Sequence, residues 1–399
     1  MKSVYKNKEN CCGCTACQHI CPTKAIQMKA DEEGFLYPEI DQSLCIDCGL
    51  CRKVCAFQNG YDKSQNLKKI KLYAVKNIDE KVRISSTSGG LFTAASDNIL
   101  DKGGIVFGAA FDRDFNVVHT IAFNKKDRDE LKGSKYVQSD LRNVFQEIRE
   151  FLDKKKLVLF TGTPCQNAGL KRYLIETKTN TKNLYLCDIL CYGVPSPLLW
   201  LEYVEFLQKN ENSKINKFYF RPKIKGWHNH TQMAIFENGK IDYSSALSQT
   251  FKILFQSNYI LRPSCYACKF TNFIRPSDIT IGDFWGIEKS MPEFDDDKGI
   301  SLLIINTSKG QSLFKEISNN LVFKISNKKE CRQSRLYQSA KLPIHREKFW
   351  KEYNLYGYRY IAALYGENNL KGIIKNLIRK HFSNLKLFKY IKNVRRQLF

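Results

Sequence analysis

Two stretches near the start of the chain decide its fold. Residues 11–22 read Cys-Cys-Gly-Cys-Thr-Ala-Cys-Gln-His-Ile-Cys-Pro, and residues 45–55 read Cys-Ile-Asp-Cys-Gly-Leu-Cys-Arg-Lys-Val-Cys. Both contain the pattern Cys-x2-Cys-x2-Cys-x3-Cys, and each cysteine of the second run lies 34 residues after its counterpart in the first. A doubled pattern of this kind is typical of a chain that folds around two iron–sulfur clusters.

The spacing also predicts how the two runs share their cysteines. Three thiolates separated by two residues each cover one side of a four-iron cluster, and in two-cluster ferredoxins the fourth ligand comes from the other run. The predicted [4Fe–4S] sites are therefore, first, Cys11, Cys14, Cys17 and Cys55 and, second, Cys45, Cys48, Cys51 and Cys21. Zinc, which takes two Cys-x2-Cys pairs, is the weaker alternative. Cys12 is surplus to both sets.

Bulk composition limits the class of protein. A length of 399 residues with 43% hydrophobic residues predicts two or three folded domains. An odd count of 15 cysteines and a polar N-terminus predict a reducing, cytoplasmic location. The net charge of +24 suits nucleic acid, anionic lipid or anionic cofactors. No recognition helix or aromatic stacking motif accompanies that charge, so we expect no nucleic-acid partner.

An α/β pattern follows the cysteine runs. Residues 70–75 read as a strand, a Ser/Gly-rich stretch at 85–90 leads into an amphipathic helix, and residues 105–111 return as a buried strand. Such a helix entry can bind phosphate through backbone N–H groups, although an ordinary N-cap has the same composition. The predicted fold class is α+β: an N-terminal 2[4Fe–4S] ferredoxin-like domain, a mixed α/β body and a basic helical C-terminal tail.

Four further cysteines in the body could meet at one site. Residues 157–160 read as a strand that turns through a Thr-Pro pair into a helix, which puts Cys165 in the first turn, where the helix dipole favours a thiolate. Cys191 follows a second strand, and Cys265 and Cys268 form a Cys-x2-Cys pair. Spacing alone does not separate zinc from a third cluster here, and each cysteine alone could be a buried structural residue.

Five motifs follow the cysteine runs in order. They are Ser-Gly-Gly-Leu at 88–91, Gly-Ser-Lys-Tyr-Val-Gln at 133–138, Phe-Thr-Gly-Thr-Pro-Cys-Gln at 160–166, Cys-Tyr-Gly-Val-Pro-Ser at 191–196 and Ser-Asp-Ile-Thr-Ile-Gly-Asp-Phe-Trp-Gly at 277–286. Together with the runs they resemble the coenzyme F420 hydrogenase/dehydrogenase beta subunit family, over roughly residues 1–300.

This resemblance implies domains, cofactors and contacts. The implied domains are a ferredoxin domain at 1–60, an N-terminal-type domain of the family at 61–155, a C-terminal-type domain at 156–335 and a basic, aromatic, helical tail at 336–399. It implies that the mixed α/β body is a flavin-binding body that holds FAD, and it favours a third [4Fe–4S] cluster at the four body cysteines. The candidate FAD contacts are Ser86, Ser88, Gly89, Gly90, Lys135, Tyr136 and Gln138.

The implied activity is that of an oxidoreductase. FAD would exchange two electrons with a soluble hydride carrier, coenzyme F420 or another, and the clusters would pass single electrons to a redox partner protein. Bacterial forms that resemble this chain often occur with glycan-biosynthesis enzymes. The alternative is an electron-transfer module without a substrate of its own, which feeds a partner enzyme. No catalytic residue is assigned.

The C-terminal tail carries a separate prediction. Leu370, Ile373, Ile374 and Leu377 fall on one helical face beside several lysines and arginines. Such a basic amphipathic helix can rest on an anionic membrane, which would place the protein at the inner membrane face, or it can pack on the body or a partner.

Overall fold

The computed structural model describes residues 3–367, and the amphipathic part of the predicted tail, from Leu370 onward, lies outside them. Contacts divide the chain into two compact units. The first contains the residues up to Leu201, together with Tyr219–Thr231 and Leu261–Leu342. The second contains Glu202–Phe218, Gln232–Ile260 and the described residues from Pro343 onward. All of the predicted site residues belong to the first unit.

Thirteen strands are formed by the described residues. They are β1 Ile26–Ala30, β2 Leu36–Ile40, β3 Asn66–Asn77, β4 Ile105–Phe111, β5 Val117–Ala122, β6 Val158–Gly162, β7 Leu184–Ile189, β8 Ile215–Tyr219, β9 Met233–Phe236, β10 Ile241–Asp242, β11 Ile279–Asp283, β12 Ser301–Thr307 and β13 Leu321–Ser326.

Fourteen α-helices, several of them a single turn, connect these strands within residues 3–367. They are α1 Ala16–His19, α2 Leu50–Lys53, α3 Ala56–Asn59, α4 Glu80–Ser85, α5 Leu91–Asp101, α6 Lys125–Leu131, α7 Val144–Asp153, α8 Pro164–Glu176, α9 Pro197–Glu211, α10 Ala246–Gln256, α11 Pro263–Tyr266, α12 Ile287–Ser290, α13 Ser308–Ile317 and α14 Arg346–Tyr365.

An eight-stranded mixed sheet organises the first unit, in the order β13-β3-β12-β11-β7-β6-β4-β5. Strands β4, β6, β7 and β11 pair in parallel, and β12 pairs antiparallel with both β11 and β3. Strand β3 therefore runs in the same direction as β6. The starts of α5 and α8, which follow β3 and β6, consequently lie at the same edge of the sheet, where such sheets bind ligands.

The sheet crosses the domain boundary expected at residue 155. Strands β3, β4 and β5 precede that boundary, and β6, β7, β11, β12 and β13 follow it, yet all eight belong to one sheet. The predicted strands at 70–75, 105–111 and 157–160 correspond to β3, β4 and β6. The mixed α/β architecture that the sequence predicts is confirmed.

The cysteine-rich segment packs on one face of this sheet. Strands β1 and β2 form an antiparallel hairpin, and a hydrophobic cluster joins the segment's cysteines to aromatic side chains of α7, β6 and α8, including Phe145, Phe160 and Tyr173. At Gly169 in α8, an added Cβ would lie 2.7 Å from the Cys14 Sγ. Glycine at this position therefore lets the cysteine loop approach the helix closely.

The second unit contains the three-stranded sheet β10-β9-β8 and helices α10 and α14. Its core is aromatic: Tyr259 stacks on Phe349 with ring centroids 5.2 Å apart, and the Tyr203 ring lies 5.5 Å from that of Phe251. None of the helices described over residues 3–367 combines the length and the apolar content that a membrane span requires.

Candidate iron–sulfur and cofactor sites

The two cysteine runs share a backbone course as well as a spacing. Each run leads into a one-turn helix, α1 or α2, and these helices are also 34 residues apart. Gly13 and Thr15 have φ values of +69° and +63°, and their counterparts Asp47 and Gly49 have +52° and +74°. These left-handed residues turn the chain around a cavity, so that successive thiols can face the same space.

The first cavity is lined by thiols from both runs. Cys11, Cys14, Cys17 and Cys55 surround about 350 Å³ of empty space that is partly open to solvent, together with Cys12 and apolar groups such as Val4 and Met28. Cys55, at the N-cap of α3, is the member that comes from the second run. Burial raises the pKa of the Cys55 thiol to about 11. The thiol is therefore protonated before a cluster binds, and binding of a cluster would release that proton.

The second cavity is lined by the other four predicted cysteine ligands. Cys21, Cys45, Cys48 and Cys51 line about 340 Å³ of empty space, with Ile26 and Ile40 behind them. Here Cys21 comes from the first run. The two sites differ in exposure, because Cys48 is exposed whereas Cys14 and Cys17 are buried.

Both cavities fit a cluster by their donor chemistry. Each contains the four thiols of one predicted ligand set and has a mostly apolar wall, which is the environment of a thiolate-bound [4Fe–4S] cluster. Within residues 3–367, no group of three or more His, Cys, Asp or Glu side chains converges closely enough to hold a single metal ion. The thiols instead surround a space that a multi-atom cluster would fill.

The four body cysteines also come together. Cys191 interacts electrostatically with Cys165, Cys265 and Cys268, and burial together with these neighbours raises its pKa well above the usual range. Burial is likewise the main reason that the pKa values of Cys265 and Cys268 rise, to about 12 and about 11. The backbone N–H of Val194 donates to the Cys265 Sγ at 3.4 Å.

Local structure explains the position of Cys165. The side chains of Thr163 and Gln166 form a capping box at the start of α8, and Pro164 occupies the first turn, as the sequence predicts. The Thr163 hydroxyl lies 3.1 Å from the Cys165 Sγ. The other two body cysteines are Cys187 and Cys331, which are buried in separate hydrophobic clusters.

Cys12 connects the body set to the first ferredoxin set. Its thiol lies within hydrogen-bonding reach of both Cys14 and Cys165. The hydrogen bond from Cys12 is the main cause that lowers the pKa of each of these two thiols, and the pKa of Cys165 falls to about 7. Cys17 of the first set in turn interacts with Cys51 of the second. The three thiol sets therefore form a series, in the order body set, first ferredoxin set, second ferredoxin set.

The Ser/Gly-rich stretch lies at the sheet edge before α5, but its side chains bond within the protein. The Ser86 hydroxyl donates to Val82 O at 2.7 Å, and the Ser88 hydroxyl donates to Ile300 O at 2.7 Å. At Gly89, an added Cβ would lie 2.3 Å from Val75 O. Gly90 caps α5 with φ +83°. These residues fix the backbone, so only the first-turn N–H groups of α5 remain as candidate donors to a ligand at this stretch.

The candidate contacts from the 133–138 motif separate into two places. The Ser134 N–H donates to the Thr87 hydroxyl at 2.9 Å, which brings this loop to the Ser/Gly-rich stretch. The Lys135 ammonium donates to Glu130 O and Lys132 O, both at 2.8 Å, and burial lowers its pKa to about 7.

The side chains of Tyr136 and Gln138, from the same motif, also lie in two different places. Tyr136 hydrogen-bonds the Arg221 side chain, and Arg221 forms an ion pair with Asp283 at the end of β11. The Gln138 amide instead donates to Cys12 O at 3.1 Å and accepts from Arg262 at 2.9 Å, so it lies at the first ferredoxin site.

Two cations that the sequence does not single out, a half-buried lysine and a buried arginine, lie at the candidate sites. Lys223 donates to three backbone carbonyls, of Arg83, Ser88 and Lys298, and thereby fixes the entry to α5. Arg262 is fully buried beside Cys11. In the sequence, Arg262 could be noticed only because it lies just before the Cys265 and Cys268 pair. Nothing in that segment indicates contact with a cysteine 251 residues earlier.

Fold and thiol geometry define a class, that of proteins with a two-cluster ferredoxin domain joined to an α/β body. Comparison with family models agrees. Residues 10–59 match the 4Fe-4S dicluster domain, and residues 155–330 match the model for the C terminus of the coenzyme F420 hydrogenase/dehydrogenase beta subunit. Over residues 155–330 the chain is therefore similar to the coenzyme F420 hydrogenase/dehydrogenase beta subunit family, and its 4Fe-4S dicluster domain makes it an iron–sulfur protein of the electron-transfer type.

Comparison with solved structures gave a distant similarity. One chain of the F420-reducing [NiFe] hydrogenase complex from Methanosarcina barkeri, from a xenon-derivatization structure, is 17% identical in sequence. The match covers 76% of this chain and 94% of that chain, with a TM-score of 0.46. A comparison with curated proteins gave no significant match.

Proposed function

We propose that this chain is an iron–sulfur flavoprotein oxidoreductase that passes electrons between a soluble hydride carrier, coenzyme F420 or another, and [4Fe–4S] clusters through FAD. The observation that carries the proposal is the series of three four-thiol sets. It begins with Cys165 at the sheet edge and ends at the exposed Cys48. Such a series suits single-electron transfer between a buried site and the protein surface.

The body set of Cys165, Cys191, Cys265 and Cys268 is proposed to hold a third [4Fe–4S] cluster. All four donors are cysteine thiols that interact with one another. Cys12 links this set to the first ferredoxin set, because its thiol interacts with one cysteine of each set. A redox-active cluster at this place would continue the series, whereas zinc has no second oxidation state to use there.

FAD is proposed to bind at the start of α5, on the same sheet edge as Cys165. The first-turn N–H groups of α5 can accept a pyrophosphate. Lys135 uses two of its three ammonium donors on carbonyls, which leaves one for a ligand. When bound, FAD supplies the exchange between hydride transfer and single-electron transfer. Tyr136, Arg221 and Asp283 would hold one wall of this site in place.

The second ferredoxin site is the proposed exit to a redox partner protein. Besides Cys48, the side chains of Leu44 and Ile46 beside it are 49% and 65% exposed. Exposed apolar groups next to a redox site suit a transient protein contact, since burying them on docking is favourable.

Two variants test this function in the anaerobically purified protein. Cys55→Ser should leave flavin reduction by the hydride carrier intact and stop electron delivery to an external one-electron acceptor, since the first ferredoxin set is incomplete. Lys135→Gln should weaken FAD binding while the iron content stays at the parent level. Reduction of the acceptor at the parent rate by Cys55→Ser would contradict the proposed series.

One observation favours a second candidate, an electron-transfer module without its own substrate. The Ser86 and Ser88 hydroxyls are engaged with the backbone, so they are not directed at a ligand. A module would hold the iron of its clusters and exchange electrons with partner proteins, but it would neither bind FAD nor oxidise a hydride carrier. NADH, NADPH, reduced ferredoxin and coenzyme F420, tested in turn as reductants, separate the two candidates.

A further inference from the structure

Arg262 is a fully buried guanidinium whose four acceptor atoms, on three residues, carry no carboxylate charge. Its Nε donates to Cys11 O at 2.8 Å, and its Nη1 donates to the Gln138 Oε1 at 2.9 Å. Its Nη2 donates to Leu36 O at 2.9 Å and lies 3.7 Å from the Cys11 Sγ. The Tyr37 ring covers the guanidinium at 4.2 Å from its centroid.

Several other buried arginines in the first unit are paired with carboxylates. Arg275 pairs with Asp188, Arg221 with Asp283, and Arg128 with Asp97. Within residues 3–367, no hydrogen bond or ion pair described for Arg262 involves a carboxylate. An arginine stays charged when buried, and a buried charge without a counter-charge is strongly destabilising. Arg262 therefore requires a negative charge nearby.

We propose that the cluster at Cys11, Cys14, Cys17 and Cys55 is this counter-charge, and that Arg262 is a positioning and tuning residue that makes its one-electron reduction easier. With four thiolates, a [4Fe–4S] cluster carries about −2 when oxidised and about −3 when reduced, because one electron is added and no bond is made or broken. A fixed cation next to one thiolate stabilises the −3 state more than the −2 state.

The surroundings of Arg262 prevent it from moving away when the cluster changes charge. The carbonyls of Cys11 and Leu36 and the amide of Gln138 hold three sides of the guanidinium. At Gly13, an added Cβ would lie 2.8 Å from the Arg262 Nη1, so the loop has no space for a larger residue there. A donor held near a cluster sulfur raises the reduction potential of that cluster.

The second ferredoxin site provides an internal control, since its four cysteines do not contact Arg262 in the described residues. The inference rests on the two ferredoxin clusters alone and needs neither FAD nor the body cluster. It can therefore fail while the proposed function holds, or hold while that function fails.

The experiment is a potentiometric titration of the anaerobic full-length chain with sodium dithionite, followed by electron paramagnetic resonance. The second-site signal is assigned as the one that Cys48→Ser alters. Arg262→Gln should shift the first-site midpoint to a more negative potential, and Arg262→Lys, which keeps the charge, should shift it less. In both variants the second-site midpoint should stay at the parent value.

Gln138→Glu keeps the proposal testable if Arg262→Gln fails to hold iron. It places a carboxylate on Arg262 with almost no change in shape, so it should neutralise the cation and also shift the first-site midpoint to a more negative value. An unchanged first-site midpoint in iron-loaded Gln138→Glu or Arg262→Gln would overturn the proposal. Equal shifts at both ferredoxin sites would overturn it as well, since they would report a general change in the domain.

Discussion

Arg262 and Cys11 lie 251 residues apart in the sequence, and the Arg262 Nε donates a 2.8 Å hydrogen bond to the Cys11 carbonyl. This contact joins the segment that carries two body thiols to the first cysteine of the ferredoxin runs. The same arginine also holds the turn that carries Cys265, because the Cys265 N–H donates to Arg262 O at 2.9 Å. The body set and the first ferredoxin set therefore share a structural support as well as the Cys12 thiol.

Gly13→Ala tests the tight packing at this support. Alanine at φ +69° costs about 1–2 kcal/mol in backbone strain, and its Cβ would lie 2.8 Å from both the Arg262 Nη1 and the Gln138 Nε2. We expect a lower midpoint of anaerobic thermal unfolding and loss of iron from the first site. The matched control is Gly49→Ala, where φ is +74° but nothing lies within 4 Å of the added Cβ. Equal losses in the two variants would show that strain alone, and not the Arg262 contact, is responsible.

Shared ligation between the runs predicts an unusual pattern in double variants. Cys21→Ser combined with Cys45→Ser should remove one cluster, about four iron atoms, because both thiols line the second cavity. Cys21→Ser combined with Cys11→Ser should remove two, about eight iron atoms, although those residues belong to the same run. Iron analysis of both double variants decides the matter; the reverse result would mean that each run binds its own cluster.

The body set makes a separate prediction about metal content. With a third cluster, the anaerobic protein should contain about twelve iron atoms per chain, and Cys268→Ser should contain about eight. Cys331→Ser is the matched control, because Cys331 is a buried cysteine in a hydrophobic cluster away from the thiol sets and should keep all of the iron. About eight iron atoms and one zinc atom in the parent protein would instead establish zinc at the body set.

His119 predicts part of the pH dependence of stability. It is buried, its ring stacks on Phe160, and its Nε2 lies 2.9 Å from Thr161 O. Burial lowers its pKa from 6.5 to about 4. The unfolded chain therefore binds a proton that the folded chain does not, and stability should fall as the pH drops from 6.5 towards 4, by about 3 kcal/mol in total.

The measurement for this prediction is the thermal unfolding midpoint at pH 7 and pH 5 under anaerobic conditions. His119→Gln should lose less stability between the two values than the parent protein does. His345→Gln, which changes an exposed histidine, should behave like the parent. A parent-like decrease in His119→Gln would assign the pH dependence to other groups.

Much of the fold and of the ferredoxin sites follows from local sequence patterns. The 34-residue repeat of the cysteines corresponds to two cavities that each combine three thiols of one run with one of the other. Strands β3, β4 and β6 and the capped start of α8 lie where the periodicity and the Thr-Pro signal predict them. Each of these features depends on neighbours in sequence, which is why a single chain reveals it.

Features that depend on distant contacts were not predictable. Cys12 reads as surplus, because its role is set by Cys165, which is close only in the folded chain. Gln138 lies in the same motif as Lys135, but its side chain contacts Arg262 and not the start of α5. Lys223 and Arg262 look like ordinary surface cations in a chain of net charge +24. The full burial of Arg262 depends on the packing of the whole first unit.

The most direct test of the proposed oxidoreductase is the binding and reduction of FAD in the iron-loaded protein. The chain is purified without oxygen, its iron is counted, FAD is added, and unbound FAD is removed. We predict about one FAD per chain, which the physiological hydride carrier reduces and which then passes electrons to the clusters. A protein that has its full iron but binds no FAD would contradict the proposed oxidoreductase function.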